Sequence, residues 1–346
     1  MQNPSSPSAS ALCRLARVVR RTIAAGRPLS SADLFALAAD AYGGTLAEGA
    51  FSPRDAYDAA ELGLHLHLLG LGLPLGDDPT APLAEVERLS ALLPSQTRRT
   101  TEQNAYQQFS TPAAYAALCA WVSGVSAGDR VLEPSAGTGA LCAFALAAGA
   151  SVHANELCPR RADALAVLLS EAGQDPEGNP RATLTRENAD HLDAILPPDV
   201  RADVVLMNPP FSQTAGRLGQ RCVPTVGTTH VLQALRRLDE GGRLVAVLSA
   251  GVRRSKPTHR AFFEAISQAP FSLRAAIEVG GAVYRPYGTS VRTRLLVVDR
   301  TLPRDPADAR CRAQGAVESV GEALDTLEAI RTCRPGSARG DGHLAL

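Results

Sequence analysis

Lysine is all but missing from this sequence. Lys256 is the only one, so nearly all of the 35 basic residues are arginine. That bias reads as GC-rich coding rather than as phosphate recognition. Neither sign of charge is in excess, with 35 basic against 35 acidic residues, which excludes a uniformly basic nucleic-acid coat. Cysteine is sparse. Cys13, Cys119, Cys142, Cys158, Cys222, Cys311 and Cys333 include no CxxC pair. A zinc site needs paired ligands at short spacing, so most of the seven read as small core residues, and their lack of pairing suits a reducing cytoplasm. No run approaches the roughly 20 apolar residues of a membrane helix, and residues 1–10 lack the hydrophobic region of a signal peptide. The expectation is a cytoplasmic protein with no metal and no membrane partner. What is present is 346 residues, 45% of them apolar and 20% charged, enough for one large cored domain with an appendage, or for two domains.

Residues 1–10 read as a disordered lead. From Leu12 to about Leu93 the apolar spacing is helical, with Leu12, Leu15, Ala16, Val19 and Ile23 on one face. Ser30 or Ser31 is a helix N-cap signal, and Ser52-Pro53 starts another helix. Residues 32–93 carry ten acids against Arg54 and Arg88 and form an acidic helical cap. His65 and His67 flank Leu66, but no third ligand suggests a metal. After Pro94 the pattern changes. Strands are predicted at 130–133, 151–155, 182–186, 203–207, 242–248, 273–279 and 293–299, with helices at 140–148, 160–172, 230–238 and 258–267. Alternating strand and helix predict an α/β fold with a doubly wound, seven-stranded, mostly parallel sheet. Only a loop joins the last two strands, so they pair antiparallel. Boundaries are expected at 1–93 for the helical extension, 94–302 for the main domain, and 303–346 for a helix (Val317 to Ile330) and flexible tail.

Two segments carry chemistry. The first is Val131-Leu132-Glu133-Pro134-Ser135-Ala136-Gly137-Thr138-Gly139, a buried strand running into a glycine turn and a helix start. The glycines let backbone approach a ligand, and the helix start offers free N–H donors. It is neither GxGxxG nor a P-loop, which speaks against a dehydrogenase. About twenty residues on, Glu156 ends the second strand, where an acid can accept both ribose hydroxyls of a nucleoside.

The second segment is Asn208-Pro209-Pro210-Phe211, directly after the fourth strand. A conjugated exocyclic amine is a poor nucleophile because its lone pair is delocalised. The Asn208 side-chain oxygen and the Pro209 carbonyl can accept its two N–H hydrogens and localise that lone pair. Two prolines stiffen the turn, and Phe211 offers a face on which a base can stack.

The first segment resembles motif I of S-adenosylmethionine-dependent amino-methyltransferases, and the seven-stranded plan is that of class I methyltransferases, a Rossmann-like fold. The resemblance implies S-adenosylmethionine as cofactor, held by Glu133, Pro134, Ala136, Gly137, Gly139 and Glu156. Asn188 would meet the adenine ring beside Ala189, with Asp190 as the alternative. Phe109-Ser110-Thr111-Pro112 resembles the motif that closes over the methionine end in adenine-specific DNA methyltransferases, which adds Thr111 and Pro112. In those enzymes a loop like Tyr284 to Arg294 offers an aromatic to the flipped base, so Tyr287 is the candidate here. The run from Leu93 to Pro112, with motif I, Asn208 to Ser212 and Tyr287 to Ser290, looks like the N-terminal methyltransferase region of bacterial strawberry-notch-type proteins. That likeness implies a mobile-element setting and a helicase or plasmid-encoded partner. No Walker A motif occurs here, so helicase activity is not carried over.

From Leu206 to Arg300 there are fourteen basic residues against five acids. Arg236-Arg237, Arg253-Arg254 and Lys256 are candidates for a phosphate backbone, the last three being favoured because they follow a strand end. The long loop 212–229 reads as one that orders around nucleic acid. The expected activity is methyl transfer to adenine N6 in DNA. The alternatives are an RNA methyltransferase (adenine N6 or guanine N2), a protein glutamine methyltransferase, and a binding module without turnover.

Overall fold

The computed structural model describes residues 7–96, 110–211, 225–301 and 312–335. Gln107, Gln108 and Phe109, and loop positions 212–224, lie outside these. Four helices come first: α1 (Pro7–Ala24), α2 (Ser31–Tyr42), α3 (Pro53–Leu71) and α4 (Thr80–Ser90). Capping boxes start α2 and α3. The Ser30 and Ser52 hydroxyls accept the N–H groups of Asp33 and Asp55, whose carboxylates accept the serine N–H groups in return at 2.9 and 2.8 Å.

The α/β part follows as α5 (Ala113–Ser123), β1 (Arg130–Glu133), α6 (Ala140–Ala147), β2 (Ser151–Asn155), α7 (Pro159–Ser170) and β3 (Ala182–Thr185). A 3-10 turn (Ala189–His191) and α8 (Leu192–Ile195) lead to β4 (Ala202–Met207), α9 (Val226–Leu235), β5 (Leu238–Ser249) and α10 (Pro257–Ala265). Next come β6 (Phe271–Val279), a 3-10 segment (Gly281–Tyr287), β7 (Thr293–Arg300), β8 (Ala313–Val317) and α11 (Val320–Thr332).

The strand order is β3-β2-β1-β4-β5-β7-β6-β8. Only β7 runs against its neighbours. The seven-stranded core expected from the sequence is therefore present, with an addition. β8 pairs parallel to β6 and covers its outer edge. The sequence alone places this segment in the flexible tail. β5 also starts earlier than expected, at Leu238 opposite Ala202, and a register shift then brings Arg243 opposite Val204. The glycines at 241 and 242 bulge out between the two pairings.

Alternation along the strands divides the core in two. Val204 and Leu206 of β4, with Val245 and Val247 of β5, pack with α5, α6, α7 and the N-terminal helices. Val205 and Met207, with Leu244, Ala246 and Leu248, face α9 and α10 on the other side. Both faces are covered, as a parallel sheet requires. The N-terminal helices share the first core, and α3 lies against α6 and α7.

The cysteines depart from expectation in one respect. Cys119 and Cys142 are buried and free, and Cys13 and Cys158 are half-buried and free, whereas Cys333 is disulfide-bonded. No helix among the described residues is long and apolar enough to cross a membrane.

Candidate active site

Parallel strands place their carboxyl ends on one edge, where open α/β sheets form crevices. Here the turns after β1, β2, β3 and β4 form a cleft that is partly open to solvent. Its walls include Thr111, Glu133, Pro134, Ala136, Gly137, Glu156, Asn188, Ala189 and the whole Asn208-Pro209-Pro210-Phe211 turn. Residues separated by nearly a hundred positions thus share one space.

A single buried side chain ties three of the turns together. The Asn155 amide donates to the carbonyls of Pro134 (3.0 Å) and Glu187 (2.9 Å). Its oxygen accepts the Glu187 N–H at 2.9 Å. The Asn155 carbonyl accepts the Ala136 N–H. Glu156 is fixed beside it. One carboxylate oxygen accepts the Gly137 N–H at 2.8 Å and the other the Cys158 N–H at 2.8 Å. Each oxygen keeps an acceptor site, as a ribose diol demands. Next to it, Leu157 is apolar yet 58% exposed and lines the cleft, an open flat for a purine ring. Carboxylate, apolar shelf and glycine turn therefore fit an adenosyl group.

Glu133 is buried at the cleft floor, and burial pushes its pKa well above the usual carboxylate range. Asn208 donates from Nδ2 to the Thr111 hydroxyl at 2.9 Å, which links the start of α5 to the tip of β4. Asn188 caps the 3-10 turn through Asp190 N–H. Asp190, the alternative to Asn188, sits outside the wall and pairs with His230 Nε2 at 2.8 Å.

Some expected residues lie elsewhere. Gly139 (φ +94°) is buried under α7 rather than facing the cleft. An alanine Cβ there would collide with Leu168 Cδ2 and come within 2.9 Å of Leu165 Cδ1. Gly139→Ala should therefore lower stability by roughly 2 kcal/mol or more, read as a lower urea midpoint. Pro112 and Tyr287 line a second cleft between α3, α4 and the β6–β7 connection. The tyrosine nearer the Asn208 turn is Tyr284, buried edge-on to Tyr115 at 6.2 Å and lying beside Asn208. Arg253, Arg254 and Lys256 follow β5 on the same sheet edge but do not line the cleft, and Arg254 is tied back to Phe263 O and Ser267. Part of the basic stretch is internal: Arg237 is buried on Asp193, and Arg243 and Arg274 on Asp299.

The sequence reading missed several wall residues. Arg161, His230, Asn155, Ser110 and Thr138 line the cleft as well. Arg161 had a signal, since it falls one and two helical turns before the buried Leu165 and Leu168. Thr138 is held from outside the α/β part. Its hydroxyl donates to Glu61 of α3 at 2.9 Å, and its carbonyl faces His65 Nδ1 at 3.1 Å. Burial lowers the pKa of His65 to about 4, so it is neutral and donates to that carbonyl. This is the role of the histidine first weighed as a metal ligand. No group of three or more metal-ligating side chains occurs among the described residues.

Residues 117–269 match the family model described as the methyltransferase small domain. No curated protein matches the sequence. Among solved structures, a Listeria monocytogenes protein described as a class I S-adenosylmethionine-dependent methyltransferase superposes with a TM-score of 0.54. It is 11% identical, with 94% of this chain and 100% of that one covered. A Vibrio vulnificus protein described as a modification subunit of a type I restriction enzyme gives a TM-score of 0.47 at 18% identity, covering 70% of this chain. This chain spans 57% of the length of that one. A Pyrococcus horikoshii protein described as an RNA methyltransferase gives 0.45 at 17% identity, with 65% and 98% covered. A chain that folds in this strand order, and matches this family model over the strands that carry the cleft, has the fold of class I S-adenosylmethionine-dependent methyltransferases.

Proposed function

We propose that the methyl acceptor is an exocyclic amino group, adenine N6 in DNA. The observation that carries this reading is the Asn208-Pro209-Pro210-Phe211 turn at the end of β4, in the same cleft as Glu156 and the glycine turn. S-adenosylmethionine, when bound, supplies an electrophilic methyl group on a sulfonium. Asn208 and Pro209 present a side-chain oxygen and a carbonyl to the two N–H hydrogens of a flat amine. With its Nδ2 committed to Thr111, Asn208 has a defined orientation. That geometry draws the nitrogen toward tetrahedral and localises its lone pair for attack. The proton released afterwards needs no strong base, because the pKa of a methylated conjugated ammonium lies far below neutrality. Phe211 supplies an aromatic wall for the base. Arg253 and Lys256, on the same edge beyond β5, would meet a phosphate backbone.

Incubation with tritiated S-adenosylmethionine and separate DNA, RNA and protein pools tests the proposal. Label should enter DNA, and digestion to nucleosides should recover it in N6-methyladenine. Label in RNA or protein alone would overturn the choice of acceptor. Cofactor binding with no label in any pool would favour a binding module.

A further inference from the structure

One residue in the cleft has a charge that none of the chemistry above uses. Arg161 enters from the first turn of α7, and its side chain is 6% exposed. Its Nη2 donates to Ser110 Oγ at 2.7 Å, and its Nε lies 3.7 Å from Asp58 Oδ1. The guanidinium is thus clamped between α3 and the residue preceding Thr111. The third nitrogen is different. Nη1 stands 3.4 Å from where a Cβ on Gly137 would be. It makes no hydrogen bond among the described residues, yet unlike Nε it is not sealed from solvent, because it borders the cleft.

The other acidic or basic side chains on the wall, His230 apart, are carboxyl groups: Glu133, Glu156 and Glu187. His230 also lines the cleft, and burial lowers its pKa, so it adds no positive charge at neutral pH. Arg161 is therefore the one fixed cation among the described lining residues. A mostly buried guanidinium with an open edge calls for an anionic acceptor. S-adenosylmethionine carries only one anionic group, the α-carboxylate of its methionyl part. Ser110, which holds Nη2, precedes Thr111, and Thr111 contacts Asn208, so Arg161 sits on the side of the cleft where the methionyl end would reach.

We propose that Arg161 is the carboxylate anchor of the cofactor, a positioning residue whose Nη1 edge takes the methionyl carboxylate while Asp58 and Ser110 hold the fork in place. The inference depends on the cofactor and not on which amine is methylated.

Calorimetry on the full chain tests it with two probes, S-adenosylmethionine and decarboxylated S-adenosylmethionine. Wild type should prefer the carboxylated form by about tenfold or more, the scale of one charge-assisted contact. Arg161→Gln should weaken S-adenosylmethionine by about that factor and leave the decarboxylated form within about twofold, so that the preference collapses. Equal weakening of both probes, or an unchanged preference, would overturn the proposal. Arg161→Lys keeps a cation for Asp58 but lacks the fork, and should retain less than about a third of the preference. A wild-type protein that binds both probes alike overturns the anchor without any variant. Wild type that binds neither would instead indict the cofactor assignment.

Discussion

Asn208→Ala should yield a protein that still binds S-adenosylmethionine and transfers no methyl group. The alanine removes the oxygen that accepts an amine hydrogen and leaves the Pro209 carbonyl alone to do so. Losing one preorganised polar contact at a reacting centre typically costs a factor of about 10²–10³ in kcat. Here the contact also creates the nucleophile, so the loss should lie at the upper end. Cofactor affinity should stay within about threefold, a change of under 1 kcal/mol, because the ribose and glycine-turn positions are fixed by Asn155 and Glu156. Asn208→Asp keeps an acceptor, and the Thr111 hydroxyl can donate to it, so this variant should retain more activity than the alanine. Single-turnover assays beside calorimetry separate the two quantities. Parallel loss of binding and transfer would contradict the assigned role.

Asp299→Ala should be the most destabilising single change in the sheet. Asp299 on β7 is fully buried and receives two arginines. Arg243 of β5 grips it with Nε at 2.7 Å and Nη2 at 3.0 Å, and Arg274 of β6 donates Nε at 2.8 Å. Arg243 also donates to the carbonyl of Val122 at 3.0 Å, tying α5 to the sheet. Removing the carboxylate leaves two guanidinium groups in the core without their counter-ion, a loss of about 3–5 kcal/mol. That is a large part of the roughly 5–15 kcal/mol by which domains are stable. Urea unfolding should show a much lower midpoint with an unchanged slope. Replacing all three charges with apolar residues of similar volume should recover most of the loss, since burying such a cluster gains little over apolar packing. A small effect from Asp299→Ala would mean that water reaches the cluster.

The parts of this molecule that were legible in the sequence are those specified locally. Strand and helix alternation needs only neighbouring residues, and the Asn208 turn announces itself through two adjacent prolines after a run of apolar residues. Glu156 was found because its spacing from the glycine turn follows from one strand-helix-strand unit. Asn155 was not, because its task is to bond Pro134 and Glu187, partners far away in the chain. The β8 segment, Ala-Gln-Gly-Ala-Val, has the polar alternation of an edge and little apolar content, so only its pairing with β6 identifies it. Leu238 reads as the end of the helix at 230–238, and only pairing with Ala202 makes it part of a strand. The basic count over the second half misled for a related reason. Composition does not distinguish an arginine on the surface from Arg243, which has none of its side chain exposed.

The clamp on Thr138 bears on how the protein can be divided. The segment that matches the family model begins at residue 117, whereas the side chains that steady its glycine turn, Glu61 and His65, belong to α3. Gln96 in turn steadies Glu61, donating to it from Nε2 at 2.8 Å. A minimal catalytic fragment cut to the borders of the familiar domain would thus keep every residue of the turn and lose its scaffolding. Grafting or shortening this protein has to carry the leading helices along, for the pocket's rigidity is inherited from outside the matched segment.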